Sequence, residues 1–156
     1  GTQRAPSEEL SAHPRPPPHG HWLMVALASW QARLTARRQH LGRRGETLAV
    51  HLLASRGYVI EERNVRFPVG EIDLVAREGS TLCFVEVRST TSGRWGGPLG
   101  SIADHKRRRL IRAARWYLNR RGSRSCEMRF DVVAIEWGEG SSPGVELVRG
   151  GFSADD

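Results

Sequence analysis

The sequence predicts an α/β domain with a core order of helix, three strands, helix and strand, preceded by an extra amphipathic helix. Three observations carry that prediction. The 156 residues, 38% hydrophobic and 26% charged, have the length and composition of one globular domain with a real core. Residues 69–88 alternate apolar and polar side chains around the turn Glu78-Gly79-Ser80, the pattern of a β-hairpin. Apolar residues at helical spacing flank the hairpin at 44–56 and 102–120. The same order also fits several α+β layouts.

In chain order, residues 1–20 read as a flexible tail, because Pro14-Arg15-Pro16-Pro17-Pro18 and its polar neighbours lack the apolar content to fold alone. His13, His19 and His21 read as part of a solvated segment rather than as a metal cluster. Residues 21–41 read as an accessory amphipathic helix with Leu23, Leu27, Trp30 and Leu34 as its stripe. Arg33, Arg37 and Arg38 lie toward its C-terminal end, where positive charge suits the helix dipole. Such a stripe packs on its own chain or on a second copy, and a homodimer through this helix is one expectation.

Residues 42–137 are assigned to the core. Its helix at 44–56 turns Leu48, Leu52 and Leu53 inward and stops at Gly57. A strand follows at 58–67, with Asn64 marking an irregularity, and Pro68-Val69-Gly70 turns the chain into the hairpin. A Gly-punctuated loop at 89–100 leads to a helix at 102–120, whose core face is Leu110, Ile111, Ala114 and Leu118. A strand at 128–137 carries Asp131, read as structural and salt-bridged to an Arg. Residues 138–156 read as a Gly/Ser/Pro-rich tail with one short strand at 145–148.

The chemistry concentrates in the hairpin. Strand alternation puts Ile72, Leu74 and Ala76 on one face and Glu71, Asp73 and Val75 on the other; Leu82, Phe84, Glu86 and Arg88 share a face of the next strand. Three carboxylates and one guanidinium therefore sit inside an otherwise apolar hairpin. Buried charge is costly unless paired or bound to a metal. Two readings stay open: a hairpin closed by salt bridges, or a site where Asp73 and Glu86 hold a hard divalent cation.

The net charge of +7 favours a polyanionic partner. It is uneven: residues 1–44 hold seven Arg against Glu8 and Glu9, whereas residues 45–156 hold 17 basic and 15 acidic residues. The core is nearly balanced, so total charge is modest evidence for nucleic acid. Among 24 basic residues the one Lys is Lys106. Arg108, Arg112 and Arg115 stack on one side of the helix at 102–120, as a solvated face or as phosphate contacts. Cys83 and Cys126 lack metal-ligand spacing and are expected to be reduced thiols of a cytoplasmic protein. Residues 22–30 faintly imitate a signal sequence, but no cleavage site follows. No apolar run approaches the ~20 residues of a membrane span, so no membrane partner is expected.

An Asp on one strand, then Glu-x-Lys at the end of the next, is the pattern of the PD-(D/E)XK nucleases. Gly70-Glu71-Ile72-Asp73-Leu74 followed by Phe84-Val85-Glu86-Val87-Arg88 resembles one branch, the YraN-like family of small bacterial proteins. The likeness also takes in Gly45-Glu46, Gly96-Gly97-Pro98, Lys106 and Arg129-Phe130-Asp131-Val132-Val133. It implies a restriction-endonuclease-like core and a metal-dependent endonuclease that hydrolyses phosphodiester bonds in DNA, with branched or single-stranded DNA or RNA as further substrates. It implies Mg²⁺ or Mn²⁺ on Asp73, Glu86 and the Val87 carbonyl, with Glu71 as an added acid or an indirect partner. Glu46 would be the acid of the first helix that points at the metal, or an acid that only suits the helix N-terminus. Arg94 and Trp95 in the loop would meet a phosphate and a base, beside Arg108, Arg112 and Arg115 on the helix, or Trp95 would anchor a packed loop. Arg88 departs from the pattern by standing where it has Lys. Arg grips a phosphate well but does not readily release a proton near neutral pH. Lys106 is therefore the lysine expected to reach the phosphate. The alternative is a nucleic-acid-binding or scaffolding module on the same fold with weak or lost catalysis.

Overall fold

A computed structural model describes residues 19–91, 102–122, 126–138, 140 and 142–155, without the side chains of 19–23, 25 and 26. Arg94, Trp95 and the tail through residue 18 lie outside the described residues. The chain divides into two compact units, 1–37 and 38–156. In the first, Met24, Leu27 and Trp30 are exposed on the helix. The second holds the sheet and the candidate site.

The helices expected at 21–41 and 44–56 are one element, α1 (His19–Ser55). Gly42 and Gly45 lie inside it, where a glycine costs only about 1 kcal/mol. Gly45 has a packing reason to be there. A Cβ at Gly45 would stand 2.6 Å from Ser89 Oγ and 3.2 Å from Ile135 Cδ1. The helix ends where Gly57 adopts φ +87. That turn lets the Tyr58 N–H donate to the Leu53 carbonyl at 3.0 Å and the Gly57 N–H to Ala54 at 3.1 Å.

Among the described residues, five strands form one sheet in chain order: β1 (Val59–Phe67), β2 (Gly70–Glu78), β3 (Thr81–Thr90), β4 (Met128–Glu136) and β5 (Gly144–Phe152). β3 and β4 are parallel and the other neighbours antiparallel. A parallel pair needs a crossover, and α2 (Asp104–Arg121) lies in that connection. The segment read as a tail with a short strand is thus a nine-residue edge strand. Its glycines hid it. Gly150 sits at φ +61, and a Cβ on Gly151 would fall 2.9 Å from Val132 Cγ2. These residues let β5 lie close to β4 and carry Phe152 onto Phe130, ring centroids 4.9 Å apart.

The sheet is covered on both faces. Leu110, Ile111, Ala114 and Tyr117 of α2 pack with Phe84 and Phe130. Ala49 and Leu53 of α1 pack with Leu74, Val85, Val133 and Ile135. Each Leu, Ile, Val or Phe among them contributes roughly 1.5–3 kcal/mol when fully buried. Asp131 is fully buried and bonded to Arg129 Nε at 2.7 Å, the pairing expected of it. Cys83 is a buried free thiol and Cys126 is half-buried. Among the described residues no helix is long and apolar enough to cross a membrane.

Gly70 fixes how closely α2 crosses the start of β2. A Cβ there would fall 2.8 Å from the Arg109 carbonyl oxygen. The neighbour is backbone, so the helix itself would have to move. Gly70→Ala is expected to destabilise the protein by about 1–3 kcal/mol, seen as a lower urea midpoint at unchanged slope. An unchanged midpoint would show that α2 is not held by this contact.

Candidate active site

The site begins with a fault in two strands. The β1–β2 register runs Arg63↔Leu74 and Val65↔Ile72, so Asn64 lies opposite Asp73. There the alternation inverts. Ile72 and Val75 both face the α2 core, whereas Leu74 and Ala76 face the α1 core. A regular strand would keep Ile72 with Leu74 and Asp73 with Val75, as the pattern predicted. β1 inverts at the same level: Val65 lies in the α2 core, and Glu62 accepts the Tyr117 hydroxyl at 2.8 Å. Asn64 carries the change by adopting φ 49, a conformation Asn tolerates better than most residues.

The β2–β3 ladder stops at this level, with Leu74↔Val85 as its last pair. Extending the register by one residue sets Asp73 opposite Glu86. The Val87 N–H donates to Asp73 Oδ2 at 2.8 Å. A side chain thus replaces a ladder partner, and the Asp73 carboxylate is drawn toward β3. Glu86, one residue before Val87, is half-buried and hydrogen-bonded to Asp73.

Glu46 arrives from α1, just after the close approach at Gly45, and accepts Asn64 Nδ2 at 3.0 Å. Glu71 is exposed and pairs with Arg66 at 3.4 Å. Lys106 stands in the first turn of α2 and Arg88 two residues beyond Glu86. Both place positive charge on Glu86. Arg108, Arg112 and Arg115 lie exposed on α2.

Electrostatics single out the pair. Burial and the Glu86 charge push the Asp73 carboxyl up to about 8, Glu46 and Glu71 add to this, and the Val87 N–H opposes it. Burial raises Glu86 as well, against the pull of Lys106, the hydrogen bond from Asp73 and the charge of Arg88. Burial also lowers the Arg88 guanidinium from its ordinary value, and Glu86 opposes that. The two acids share more negative charge than their neighbours neutralise. Like-charge carboxylates at one site raise each other's pKa in this way.

A cavity of about 520 Å³ opens beside Asp73, lined by Arg38, Gly42, Glu46, Val87, Ser89 and Trp137 among others. Among the described residues, no three His, Cys, Asp or Glu side chains are gathered tightly enough to hold a metal alone. A cation here would rest on Asp73 and Glu86, completed by backbone carbonyl and water. An all-oxygen donor set of that kind suits Mg²⁺ or Mn²⁺, and Mg²⁺ commonly keeps several waters. Two residues of the surroundings escaped the sequence reading. Asn64 was noticed only as an irregularity, not as the partner of Glu46. Trp137 lines the cavity, with the Arg44 guanidinium 4.7 Å from its ring centre. No helical or strand periodicity marks either.

Residues 45–135 match the family described as "Uncharacterised protein family UPF0102". The chain belongs to UPF0102. The family is the YraN-like one whose motifs the hairpin carries, and the α/β fold fits a restriction-endonuclease-like core. A UPF0102 protein of Desulfosudis oleivorans is 44% identical over 118 residues, covering 76% of this chain and 94% of the relative. A UPF0102 protein of Moorella thermoacetica is 45% identical over 121 residues, covering 76% of this chain and all of the relative. One from Chlorobium chlorochromatii reaches 50% identity over 95 residues, 61% of this chain and 73% of its own length. The matched UPF0102 span begins at Gly45 and takes in Glu46, Asp73, Glu86, Arg88 and Lys106.

Proposed function

We propose that this UPF0102 protein is a divalent-metal-dependent nuclease acting on DNA in the cytoplasm. The observation that supports this most is the opposition of Asp73 and Glu86 where the β2–β3 ladder opens, with Glu46, Lys106 and Arg88 bearing on the same two acids. Asp73 and Glu86 would hold Mg²⁺ or Mn²⁺ with the Val87 carbonyl. Such an ion polarises a phosphodiester and lowers the pKa of a bound water.

The chain's own residues would do the rest. The Val87 N–H fixes the rotamer of Asp73, and Asn64 fixes Glu46. Lys106 would reach the metal-bound phosphate from α2, and Arg88 would grip it and neutralise charge without carrying a proton. Arg108, Arg112 and Arg115, with Arg94 and Trp95 of the loop, would meet the strand beyond the scissile bond. Arg88 in the Lys position is also what favours the second reading, a nucleic-acid-binding module with lost catalysis.

The test is a cleavage panel of labelled single-stranded, duplex, flapped and four-way-junction DNA with Mg²⁺, Mn²⁺ or EDTA. Cutting that needs metal and falls to background in Asp73→Ala and Glu86→Ala is expected. Lys106→Ala is expected to slow it by about 10²–10³-fold, the scale for losing one charge stabiliser of a transition state. Cutting that survives in both acid variants would reject the nuclease. No cutting with salt-sensitive binding intact would leave the binding module.

A further inference from the structure

We propose that Phe67 and Trp116 form a stacking platform for an unpaired base of a single-stranded polynucleotide, reached from the candidate site along one basic flank of α2. The polynucleotide assignment rests on the nuclease reading, but the platform is testable without turnover.

Trp116 is a large apolar side chain left 48% exposed. Its ring lies 5.9 Å from that of Phe67 at 46°. The two aromatics line a hollow of about 460 Å³ together with Asn119 and Arg120. Arg120 braces the pair. Its guanidinium stands 5.4 Å from the Phe67 ring centre and is tied to Glu62 by bonds of 3.0 and 2.9 Å. A held aromatic surface with an open face is what base stacking needs, and every base offers a π-face to it.

Charge complementarity decides the occupant. Lys106, Arg109, Arg112, Trp116 and Arg120 follow one another at three- and four-residue steps, so they share one flank of α2. Lys106, Arg109 and Arg112 are exposed and, among the described residues, form no ion pair. The flank starts at Lys106, whose charge acts on Glu86. It passes Arg109, whose carbonyl lies against Gly70 at the start of the strand that carries Asp73. Lys106 and Trp116 are ten residues apart on the helix, roughly 15 Å at ~1.5 Å per residue, the span of a few nucleotides. Phosphates would run along the cations and a base would rest on the aromatic pair. Arg, Trp and Phe also occur in protein–protein interfaces; the row of three cations, without an ion pair among the described residues and leading from the candidate acids to the aromatic pair, is what matches a phosphate backbone. A duplex hides its base faces in the stack, so the fit is to a single strand.

The experiment is fluorescence anisotropy in EDTA, with a labelled short oligothymidylate and an abasic phosphodiester of the same length. Trp116→Ala is expected to weaken oligothymidylate binding by roughly tenfold or more, the effect of losing one stacked base, while abasic binding stays within about twofold. Trp116→Phe should recover most of the loss. Trp116→Leu, which keeps apolar volume without a π-face, replaces the alanine variant if that fails to fold. Equal losses on both strands, or no loss on either, would overturn the platform. The two proposals fail separately. Base-dependent binding lost in Trp116→Ala, in a protein that never cuts, keeps the platform and rejects the nuclease. Metal-dependent cutting with no base-dependent binding does the reverse.

Discussion

Asp73→Asn is expected to make the metal-free protein more stable at pH 8 and to abolish its response to Mg²⁺. The Asp73 carboxyl has an ordinary value of 3.8 and is pushed up to about 8 by burial, by Glu86 and by the other nearby acids. Between those values the folded state binds more protons than the unfolded chain. Stability therefore falls as pH rises from about 4 to about 8, by up to about 1.4 kcal/mol per pH unit for each group titrating. Glu86, also raised, adds to the same limb. Asn keeps an oxygen for the Val87 N–H and removes the charge, so the variant should lose most of this slope and gain on the order of a few kcal/mol at pH 8. Saturating Mg²⁺ should stabilise the parent by about 2.7 kcal/mol at a hundredfold excess over Kd and leave the variant unmoved. Urea titrations at pH 5 and 8, with and without Mg²⁺, measure all four quantities. A parent protein equally stable at both pH values would refute the buried acid pair.

The second large effect lies on β4, where Asp131 pairs with Val85, and concerns stability alone. Asp131→Ala is expected to cost about 3–5 kcal/mol, the penalty for removing one member of a buried ionic network. Both oxygens of Asp131 are used. Oδ1 accepts Arg129 Nε at 2.7 Å and the Gly150 N–H at 2.9 Å; Oδ2 accepts the Tyr58 hydroxyl at 2.9 Å and Arg129 at 3.0 Å. Arg129 also holds Glu78 at 2.7 Å. Truncation would strand the Tyr58 hydroxyl and the Gly150 N–H and loosen β5. Burial pushes the Asp131 carboxyl up, but the Arg129 guanidinium, the Gly150 N–H and the Tyr58 hydroxyl outweigh it and hold it below the ordinary range. Its contribution is therefore present above about pH 4 and is lost as pH falls through the lowered value. That acid limb is separate from the one Asp73 governs. Chemical denaturation at pH 7 checks the size of the loss, and a change under 1 kcal/mol would mean that water replaces the carboxylate.

How much was legible beforehand follows from what periodicity can carry. The hairpin, the α2 core face and the placing of Asp73 and Glu86 on neighbouring strands follow from alternation and helical spacing, since those patterns record which side chains leave water. The inversion at Asn64 and Asp73 does not, because a period of two presumes an unbroken strand. That inversion takes Asp73 off the face of Val75 and turns it toward Val87. Two helices were read at 21–41 and 44–56, yet α1 continues through Gly42 and Gly45. Gly150 and Gly151 read as a loose tail, yet they let β5 pack on Val132. At Gly45 and Gly151 the missing side chain answers to a neighbour distant in sequence, which no local pattern contains. Tyr117 was passed over in the same way. Its aromatic ring meets Phe84 edge-on at 5.7 Å, and its hydroxyl reaches Glu62 across the core boundary.

The claim at the centre is that Asp73 and Glu86 together bind a divalent cation. A titration of the metal-free protein with Mn²⁺ at pH 7.5, followed by the loss of the free-ion paramagnetic resonance signal, measures this directly. The parent protein should show one saturable site, and Asp73→Asn and Glu86→Gln should each abolish it, while Asp104→Asn, an exposed acid at the start of α2, keeps it. A parent protein with no saturable site, or one whose site survives in both Asp73→Asn and Glu86→Gln, would contradict the account.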